Sequence, residues 1–329
     1  MSAPVIVTGA AGFIGMHLAQ ALLGRGEQVV GLDNLNDYYD PALKQARLAQ
    51  LQGHPGFAFE RVDITDREAF PALLARLRPA RIVHLAAQVG VRCSMTHPHA
   101  YIDANLSGFL NVLEGARYLQ REGAFTHLVY ASSSSVYGAN SKTPFSVEDR
   151  VDAPVSLYAA SKRANELMAL VYARQFGVAA TGLRFFTVYG PWGRPDMAAF
   201  KLTRAILAGE PIDVYNHGQL QRDFTYIDDA VAGMLAVLDR PAAAVEGVPH
   251  ALYNIGNHQP EPLLRFIEVL AQTLGRAPRM NLLPMQPGDV LTTYVDTTPL
   301  QRDFGWRATT TIDQGLPRFV AWYRRHYGI

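Results

Sequence analysis

The sequence is poor in cysteine, has no excess of either charge and contains no long apolar run. The single cysteine, Cys93, excludes an internal disulfide and a cysteine-rich zinc site, which is typical of a reducing compartment. The 30 basic and 29 acidic residues give a formal net charge of +1, which does not favour nucleic acid as a partner. No apolar run approaches the ~18 residues of a membrane-spanning helix, and no basic segment precedes the first run. We therefore expect a cytoplasmic protein that acts on small molecules and binds neither nucleic acid nor membranes.

Hydrophobic residues make up 49% of the 329 positions, enough for the core of one large domain or of two packed domains. Short apolar segments typical of strands alternate with helical patterns, which predicts an α/β fold with a doubly wound parallel sheet. The predicted strands cover 4–8, 28–32, 57–62, 82–85, 126–131 and 178–186. The alternation then becomes irregular. We predict one domain at 1–180 and a smaller α/β domain at 181–329, with segments near 220–256 packing back on the first sheet.

A glycine-rich loop joins the first predicted strand to the first helix. Gly9, Gly12 and Gly15 allow a tight turn and a close approach to a pyrophosphate, while the helix N-terminus supplies amide donors and a positive dipole end. The second strand ends at Asp33, where a carboxylate can accept from ribose hydroxyls and would repel a 2′-phosphate. A plain turn would also fit the G-x-x-G-x-x-G spacing. Between a strand and a helix, however, the loop predicts a Rossmann-type sheet that binds NAD rather than NADP.

Tyr158 and Lys162 lie four positions apart in a helical sequence, so their side chains occupy one helix face. A phenol has a pKa of about 10, and a neighbouring ammonium favours the phenolate, which brings the tyrosine closer to the range useful for proton transfer. Four serines at 132–135 follow a predicted strand, where α/β enzymes place active-site groups, although a serine run is also typical of a flexible turn. Together these features predict an acid/base site.

The histidines give little support for a metal site. His84 lies inside a predicted strand, where a hydrogen-bonded core histidine is more common than a catalytic base. His97 and His99 are close in sequence, but no further ligands cluster with them, so we predict no metal.

Several motifs resemble those of a known family. TGAAGFIG at 8–15, LAAQ at 85–88, SSSSVYG at 132–138 and YAASK at 158–162 are similar to those of extended short-chain dehydrogenase/reductases that modify nucleotide sugars. The more specific motifs resemble UDP-glucuronate 4-epimerases: NDYYD at 36–40, RFFTVYGPWGRPDM at 184–197, DVYNHG at 213–218, RDFTYIDD at 222–229 and MQPGDV at 285–290. The resemblance covers essentially the whole chain. It implies that the first domain binds NAD and the second a UDP-sugar.

The resemblance also implies a role for particular residues. NAD would be held by Gly9, Gly12, Phe13, Ile14 and Gly15 at the pyrophosphate, Asp33 at the adenosine ribose, Asp63 and Ile64 at the adenine, and Ala86, Ala87, Gln88 and Asn105 along its other half. Tyr158 would be the base, Lys162 its tuner and a nicotinamide-ribose ligand, and Ser133 a hydrogen-bond partner of the reacting sugar oxygen. The nucleotide would meet Tyr215 at the uracil, Arg222 at the diphosphate and Asp289 at the uridine ribose.

The predicted reaction inverts C4 of UDP-glucuronate to give UDP-galacturonate through hydride transfer to tightly bound NAD, rotation of a 4-keto intermediate and hydride return. Thr187 stands where UDP-galactose 4-epimerases usually have asparagine, and Gln286 where they usually have arginine. We expect Ser134, Ser135 and Thr187 to hold the substrate carboxylate and Arg194 to favour an acidic sugar, although an ordinary surface loop would also account for these residues.

Related NAD-binding functions are the alternatives to this one. A 4,6-dehydratase would carry Asp-Glu where Ser134 and Ser135 stand. A UDP-glucuronate decarboxylase and another NAD-dependent UDP-sugar 4-epimerase stay open, whereas a non-catalytic NAD-binding sensor would not need an intact set of Ser133, Tyr158 and Lys162. Family members commonly dimerise through two helices, here those near 100–121 and 157–176, so we expect a homodimer.

Overall fold

The computed structural model describes residues 3–241, 243–285 and 291–329. The chain divides into two compact units. The first unit comprises Met1–Asn140, Arg150–Arg184 and Val231–Tyr253. The second unit comprises Ser141–Asp149, Phe185–Ala230 and Asn254–Ile329.

Strands and helices alternate along the described residues. The strands are β1 Val5–Thr8, β2 Val29–Asp33, β3 Phe57–Arg61, β4 Arg81–His84, β5 His127–Ser133, β6 Ala180–Phe185, β7 Thr187–Tyr189, β8 Pro211–Val214, β9 Gln221–Tyr226, β10 His250–Ile255, β11 Pro260–Pro262 and β12 Arg279–Leu282. The α-helices are α1 Phe13–Gly24, α2 Pro41–Ala49, α3 Ala69–Leu77, α4 Cys93–Thr96, α5 Pro98–Tyr101, α6 Phe109–Arg121, α7 Leu157–Phe176, α8 Ala198–Ala208, α9 Ile227–Asp239, α10 Leu263–Leu274, α11 Thr298–Phe304 and α12 Ile312–Tyr327.

The main sheet has seven strands in the order β10-β6-β5-β4-β1-β2-β3. β1 pairs in parallel with β2 on one side and with β4 on the other, and the pairs β2–β3 and β4–β5 are also parallel. This arrangement confirms the predicted α/β fold with a doubly wound sheet. The strand order reverses between β1 and β4, and ligands of such sheets bind at the carboxyl ends of the strands at that point.

The apolar strand segments form the core of the first unit because helices cover this type of sheet on both faces. Ile6, Ile82 and Leu128 lie in three neighbouring strands and are completely buried. The predicted helix near 100–121 is interrupted: a π-helix at Ile102–Gly108 precedes α6. Such local widening is frequent at functional sites.

The second unit contains a three-stranded sheet of order β11-β9-β7 and a parallel pair formed by β12 and β8. Phe224 of β9 and Phe266 of α10 stack with ring centroids 4.1 Å apart. α10 also packs on α8 and α12, so aromatic side chains join this unit's sheet to its helices.

Neither a membrane-spanning helix nor a metal-binding cluster is present among the described residues. None of the helices described is both long and apolar enough to cross a membrane. In the same residues, no three His, Cys, Asp or Glu side chains form a group that could hold a metal ion.

Candidate active site

The glycine-rich loop lies at the switch point of the sheet, where β1 ends at Thr8. Gly9 has φ +73°, and a Cβ atom added to it would lie 2.9 Å from the backbone nitrogen of Ala86. A Cβ atom on Gly12 would lie 2.9 Å from the Gly9 carbonyl oxygen, and one on Gly15 only 2.1 Å from it. The loop therefore has no room for side chains at these positions.

α1 begins at Phe13, directly after the loop, and Ile14 continues its first turn. Gly12 precedes the helix and has no side chain with which to cap it. The amide groups of the first turn and the positive end of the helix dipole are consequently suited to an anionic pyrophosphate.

Asp33 ends β2 beside the glycine-rich loop and is buried. Its carboxylate accepts hydrogen bonds from the backbone nitrogens of Ala11 at 3.2 Å and Leu35 at 2.8 Å. Because one of these donors belongs to the loop itself, the position of Asp33 is coupled to the shape of the loop.

Asp63 lies just beyond β3 and accepts from the Asn34 side chain at 2.8 Å and the Thr65 backbone nitrogen at 2.8 Å. Burial raises the pKa of its carboxyl, but the hydrogen bonds from Asn34 and Thr65 outweigh that effect, so the pKa lies below its usual value. The adjacent Ile64 is buried. Asp33 thus ends β2, and Asp63 lies two residues beyond β3, the strand that pairs with β2.

Two basic residues of α2 also belong to this region, and the sequence analysis did not identify them. Arg47 is completely buried and donates to the Ala11 carbonyl oxygen at 3.2 Å and to the Tyr39 hydroxyl at 2.6 Å. Lys44 donates to the Asn36 side chain at 2.7 Å, and burial lowers its pKa. Their i, i+3 spacing on a short helix after NDYYD is the available sequence signal.

Gln88 and Asn105 form a reciprocal pair on the other side of the switch point. The Gln88 backbone nitrogen donates to the Asn105 side-chain oxygen at 2.8 Å, and the Asn105 amide donates to the Gln88 carbonyl at 3.0 Å and to the Ser161 hydroxyl at 3.0 Å. Asn105 lies in the π-helix. Ala86 and Ala87 precede Gln88 and are half-buried, and the loop after β4 is held to α7 through Asn105 and Ser161.

α7 carries both members of the predicted acid/base pair. Ser156 caps the helix by accepting from the Ala159 backbone nitrogen at 3.1 Å, which places Tyr158 in the first turn. Lys162 is 3% exposed, and its Nζ donates to the Ala131 carbonyl oxygen at 2.8 Å. Burial lowers the pKa of Lys162 to about 8. Tyr158 is half-buried.

Ser133 ends β5 and begins the 3₁₀ turn Ser134–Tyr137. Its hydroxyl accepts from the Ser135 backbone nitrogen at 3.2 Å and donates to the Ser135 hydroxyl at 3.1 Å. α7 packs against both β5 and this turn. The structure therefore brings the serine cluster to the helix that carries Tyr158 and Lys162, and the serines form an ordered cap rather than a loose turn.

His84 is a core histidine. It is buried, and its ring nitrogen Nδ1 lies 2.9 Å from the Thr8 hydroxyl. Burial and, to a smaller extent, the charge of Lys162 lower its pKa to about 3, so the ring is neutral at physiological pH.

The second unit brings Thr187 and Arg194 to one small cavity. Thr187 begins β7, and Arg194 lies in the loop before α8. The Arg194 guanidinium donates to both carboxylate oxygens of Asp196, at 2.9 Å from Nε and 2.5 Å from Nη2. The sequence predicted a role for the positive charge of Arg194 but did not identify Asp196 as its counter-ion.

Two further nucleotide candidates, Tyr215 and Arg222, also lie in the second unit. Tyr215 begins a 3₁₀ turn in which Asn216 and His217 have φ of 49° and 51°. The Arg222 side chain donates to the Gln221 carbonyl oxygen at 2.9 Å. Asp289 lies outside the described residues, as does Gln286. The cofactor and acid/base candidates therefore lie in the first unit, together with the carboxylate candidates Ser134 and Ser135, whereas the other described substrate candidates lie in the second.

Comparison with known proteins shows the family. The model of the NAD dependent epimerase/dehydratase family matches residues 5–256. An uncharacterized 37.6 kDa protein of Escherichia coli O111:H- is 52% identical over an alignment of 338 positions, which covers 98% of this chain and 99% of that protein. UDP-glucuronate 4-epimerase 4 of Arabidopsis thaliana is 45% identical over an alignment of 334 positions, which covers 98% of this chain and 76% of the plant protein.

A solved structure gives the same result. UDP-glucuronic acid 4-epimerase from Bacillus cereus, in complex with UDP-glucuronic acid and NAD, matches with a TM-score of 0.89 at 32% identity, covering 98% of this chain and 100% of that chain. The predicted resemblance is confirmed. The chain belongs to the NAD-dependent epimerase/dehydratase family.

Proposed function

We propose that this protein is a UDP-glucuronate 4-epimerase, which inverts C4 of UDP-glucuronate to give UDP-galacturonate, and the reverse. The observation that carries the proposal is full-length similarity to proteins of that name, at 44–45% identity across 98% of this chain for the Arabidopsis thaliana and Rhizobium meliloti relatives. The geometry of the first unit supports it, because the glycine-rich loop follows the carboxyl end of β1 and Lys162 binds the Ala131 carbonyl near the carboxyl end of β5.

The residues of the first unit fit NAD. The loop from Gly9 to Gly15 folds this tightly only because a Cβ atom is missing at three positions, and a tight glycine loop lets a pyrophosphate approach the backbone. Asp33 would bind the adenosine ribose, Asp63 and Ile64 the adenine, and the Ala86–Gln88 loop with Asn105 the other half of the cofactor. NAD, when bound, accepts a hydride from C4 of the sugar and gives it back.

Tyr158, Lys162 and Ser133 would move the proton. The Tyr158 phenolate takes the proton of the C4 hydroxyl as the ketone forms, and the phenol returns it after the sugar has turned over. With a pKa of about 8, Lys162 is mostly cationic at neutral pH and stabilises the phenolate. Ser133 would hold the C4 oxygen by a hydrogen bond. This division of roles needs no external redox partner.

The second unit would bind the sugar nucleotide. The 4-keto intermediate of the proposed reaction is a β-keto acid, which loses carbon dioxide when the bond to its carboxylate aligns with the π system of the ketone. Thr187 of this unit and the hydroxyls of Ser134 and Ser135 would hold the carboxylate out of that alignment. Arg194 would favour an acidic sugar, with Asp196 limiting the net charge of the loop.

Tyr215, Arg222 and Asp289 are the proposed ligands of the uracil, the diphosphate and the uridine ribose. The first unit would then be the NAD-binding domain, and the second the UDP-sugar-binding domain. We place the enzyme in the cytoplasm.

A homodimer is the proposed assembly. Leu110 on α6 and Leu167 and Val171 on α7 are large apolar side chains that are exposed on the chain. Such residues on two adjacent helices are suited to pairing with the same helices of a second copy. Sedimentation of the wild type and of Val171→Glu would test this, since a dimer through these helices predicts a lighter species for the variant.

The product from UDP-glucuronate tests the proposed function directly. We expect its anomeric NMR signal to be replaced by that of UDP-galacturonate until the two reach equilibrium, with only traces of UDP-pentose. UDP-xylose or UDP-arabinose as the main product would identify a decarboxylase instead. Equal efficiency on UDP-glucose would refute a site that reads the carboxylate, because unpaired polar groups reject an analogue by up to ~10⁴-fold.

A further inference from the structure

A buried charge cluster lies behind the candidate catalytic residues of the first unit. Glu166 and Arg184 have side chains that are each 1% exposed, and they form a two-pronged pair with Nε–Oε1 at 2.8 Å and Nη2–Oε2 at 2.9 Å. Arg163 adds a third bond to Oε2 at 3.1 Å. Burial raises the pKa of Glu166, but the hydrogen bonds from Arg184 outweigh it and the pKa is lowered, so Glu166 is ionised.

One side chain of β5, that of Ser132, is hydrogen-bonded to this charge cluster. The Ser132 hydroxyl is buried and donates to Glu166 Oε1 at 2.6 Å. A hydroxyl bonded to an ionised carboxylate forms a short, directional hydrogen bond that is roughly twice as strong as a neutral one. Ser132 immediately precedes Ser133, so this bond holds the strand one residue away from the candidate catalytic hydroxyl.

The partner of that bond lies on the catalytic helix. Glu166 follows Lys162 by four residues and Tyr158 by eight, so all three side chains occupy one face of α7. Lys162 Nζ binds the carbonyl oxygen of Ala131, which precedes Ser132. Two consecutive residues of β5 are thus bonded to two successive turns of α7.

We propose that Glu166 and Ser132 are positioning residues, which fix the end of β5 against α7 so that Ser133 and Tyr158 meet the same sugar oxygen. The inference rests on the proposed function. Catalytic groups on two separate elements keep their mutual distance only if the elements cannot slide, and a misplacement of about 1 Å can cost ~10²-fold in rate. Neither Glu166 nor Ser132 needs to touch substrate for this role.

A purely stabilising role is the competing explanation. Buried ion pairs are weak evidence for stability, because removing two charges from water costs about as much as their attraction returns. The two hydrogen bonds between Glu166 and Arg184 do not depend on Ser132, yet the Ser132 hydroxyl links β5 to Glu166. Rate and stability measurements on one variant therefore separate the two roles.

Ser132→Ala removes the bond and leaves the Glu166–Arg184 pair intact. The matched control is Thr181→Val, since Thr181 is buried and its hydroxyl lies 2.9 Å from His127 Nε2 near the amino ends of β6 and β5. We expect Ser132→Ala to lower kcat about tenfold with KM for UDP-glucuronate and bound NAD unchanged. Thr181→Val should keep the wild-type kcat. Its Tm should fall by about as much as that of Ser132→Ala, because each change removes one buried hydroxyl.

A double variant then tests whether Ser132 acts through Ser133. If it does, Ser132→Ala should cause no further loss of kcat in a Ser133→Ala background, because groups acting as one unit are not additive. Wild-type kcat in Ser132→Ala, an equal loss in Thr181→Val, or a full tenfold loss added to Ser133→Ala would each overturn the inference. Absence of epimerisation by the wild type would refute the proposed function and the inference with it. Full turnover by Ser133→Ala would refute the role given to Ser133 and therefore the inference, but not the proposed function.

Discussion

The two units hold their buried charges in different ways. In the first unit, Glu166 has three charge-assisted or hydroxyl partners and Lys162 is bonded to a backbone carbonyl. In the second unit, Asp223 is completely buried and accepts from the Asn257 backbone nitrogen at 2.6 Å, but its Oδ2 has no hydrogen-bond partner within the described residues. Glu166 in the first unit is thus fully paired, although Nη1 of its partner Arg184 also lacks a hydrogen-bond partner within the described residues, whereas the second unit holds a carboxyl whose ionisation is costly.

The candidate site residues of the two units differ in the elements that carry them. Most of those of the first unit lie at or near the ends of parallel strands or on one face of α7. Those of the second unit lie on short strands and in loops that contain strained backbone, such as Trp192 at φ 63°. We therefore expect substitutions in the first unit to act mainly on kcat and cofactor retention, and those in the second unit mainly on KM and specificity.

The largest effect is expected from Tyr158→Phe. Removing the hydroxyl eliminates the proposed base while leaving the ring in place, and general acid/base catalysis contributes typically ~10² to 10⁴-fold. Steady-state kinetics should show kcat reduced by that factor, with the amount of bound NAD and the Tm close to wild type. Tyr327→Phe, at an exposed tyrosine of the second unit, is the control and should keep its activity. A Tyr158→Phe enzyme with a tenth of wild-type turnover would not fit a catalytic tyrosine.

Gly15→Ala should release the cofactor. The added methyl group would lie 2.1 Å from the Gly9 carbonyl oxygen, so the loop must shift, and overpacking of this kind typically costs ~1–3 kcal/mol. The Kd for NAD should rise about tenfold or more, since ~1.4 kcal/mol corresponds to a factor of ten in binding, and the NAD recovered from the denatured variant should fall below the wild-type amount per chain.

The same helix offers the control for that change. Gly24 ends α1, and a Cβ atom added to it meets no atom within 4 Å. Gly24→Ala should retain wild-type NAD. Equal NAD content in the two variants would show that the close packing of Gly15 does not shape the cofactor site.

Substitution of Arg194 tests the second unit. Arg194→Met should raise KM for UDP-glucuronate roughly tenfold, because a hydrogen bond to a charged group contributes ~1.5–3 kcal/mol. The same change should leave KM for UDP-glucose nearly unaltered. Asp196→Asn retains the guanidinium and removes only its counter-ion, so it should not raise KM for UDP-glucuronate. If Arg194→Met weakened both substrates equally, Arg194 would shape the loop rather than read the carboxylate.

The sequence predicts those features that depend on a local pattern. β1 and β2 were predicted from apolar runs, and Tyr158 and Lys162 were predicted to share a helix face from their spacing. Glu166 and Arg184 are 18 positions apart and meet only when β6 lies beside α7, which no local pattern records. Arg194 was recognised without its partner Asp196, because the direction of loop side chains depends on the backbone turn. The π-helix around Asn105 likewise departs from the period that predicts helices.

The smallest effect concerns the pH dependence of stability. Burial raises the pKa of Asp223 to about 7 against the lowering effect of the Asn257 amide, whereas the unfolded chain has an ordinary value near 4. The folded state therefore binds the extra proton between about pH 4 and pH 7, and stability from this group is full below that window and lost as the pH rises through it. Asp223→Asn keeps the shape and cannot ionise, so its Tm relative to wild type should rise by a few degrees from pH 5 to pH 8. Asp228→Asn, at an exposed aspartate of α9, should show no such trend. A Tm difference between Asp223→Asn and wild type that stays constant across this range would show that the buried carboxyl is as well satisfied as the charges of the first unit.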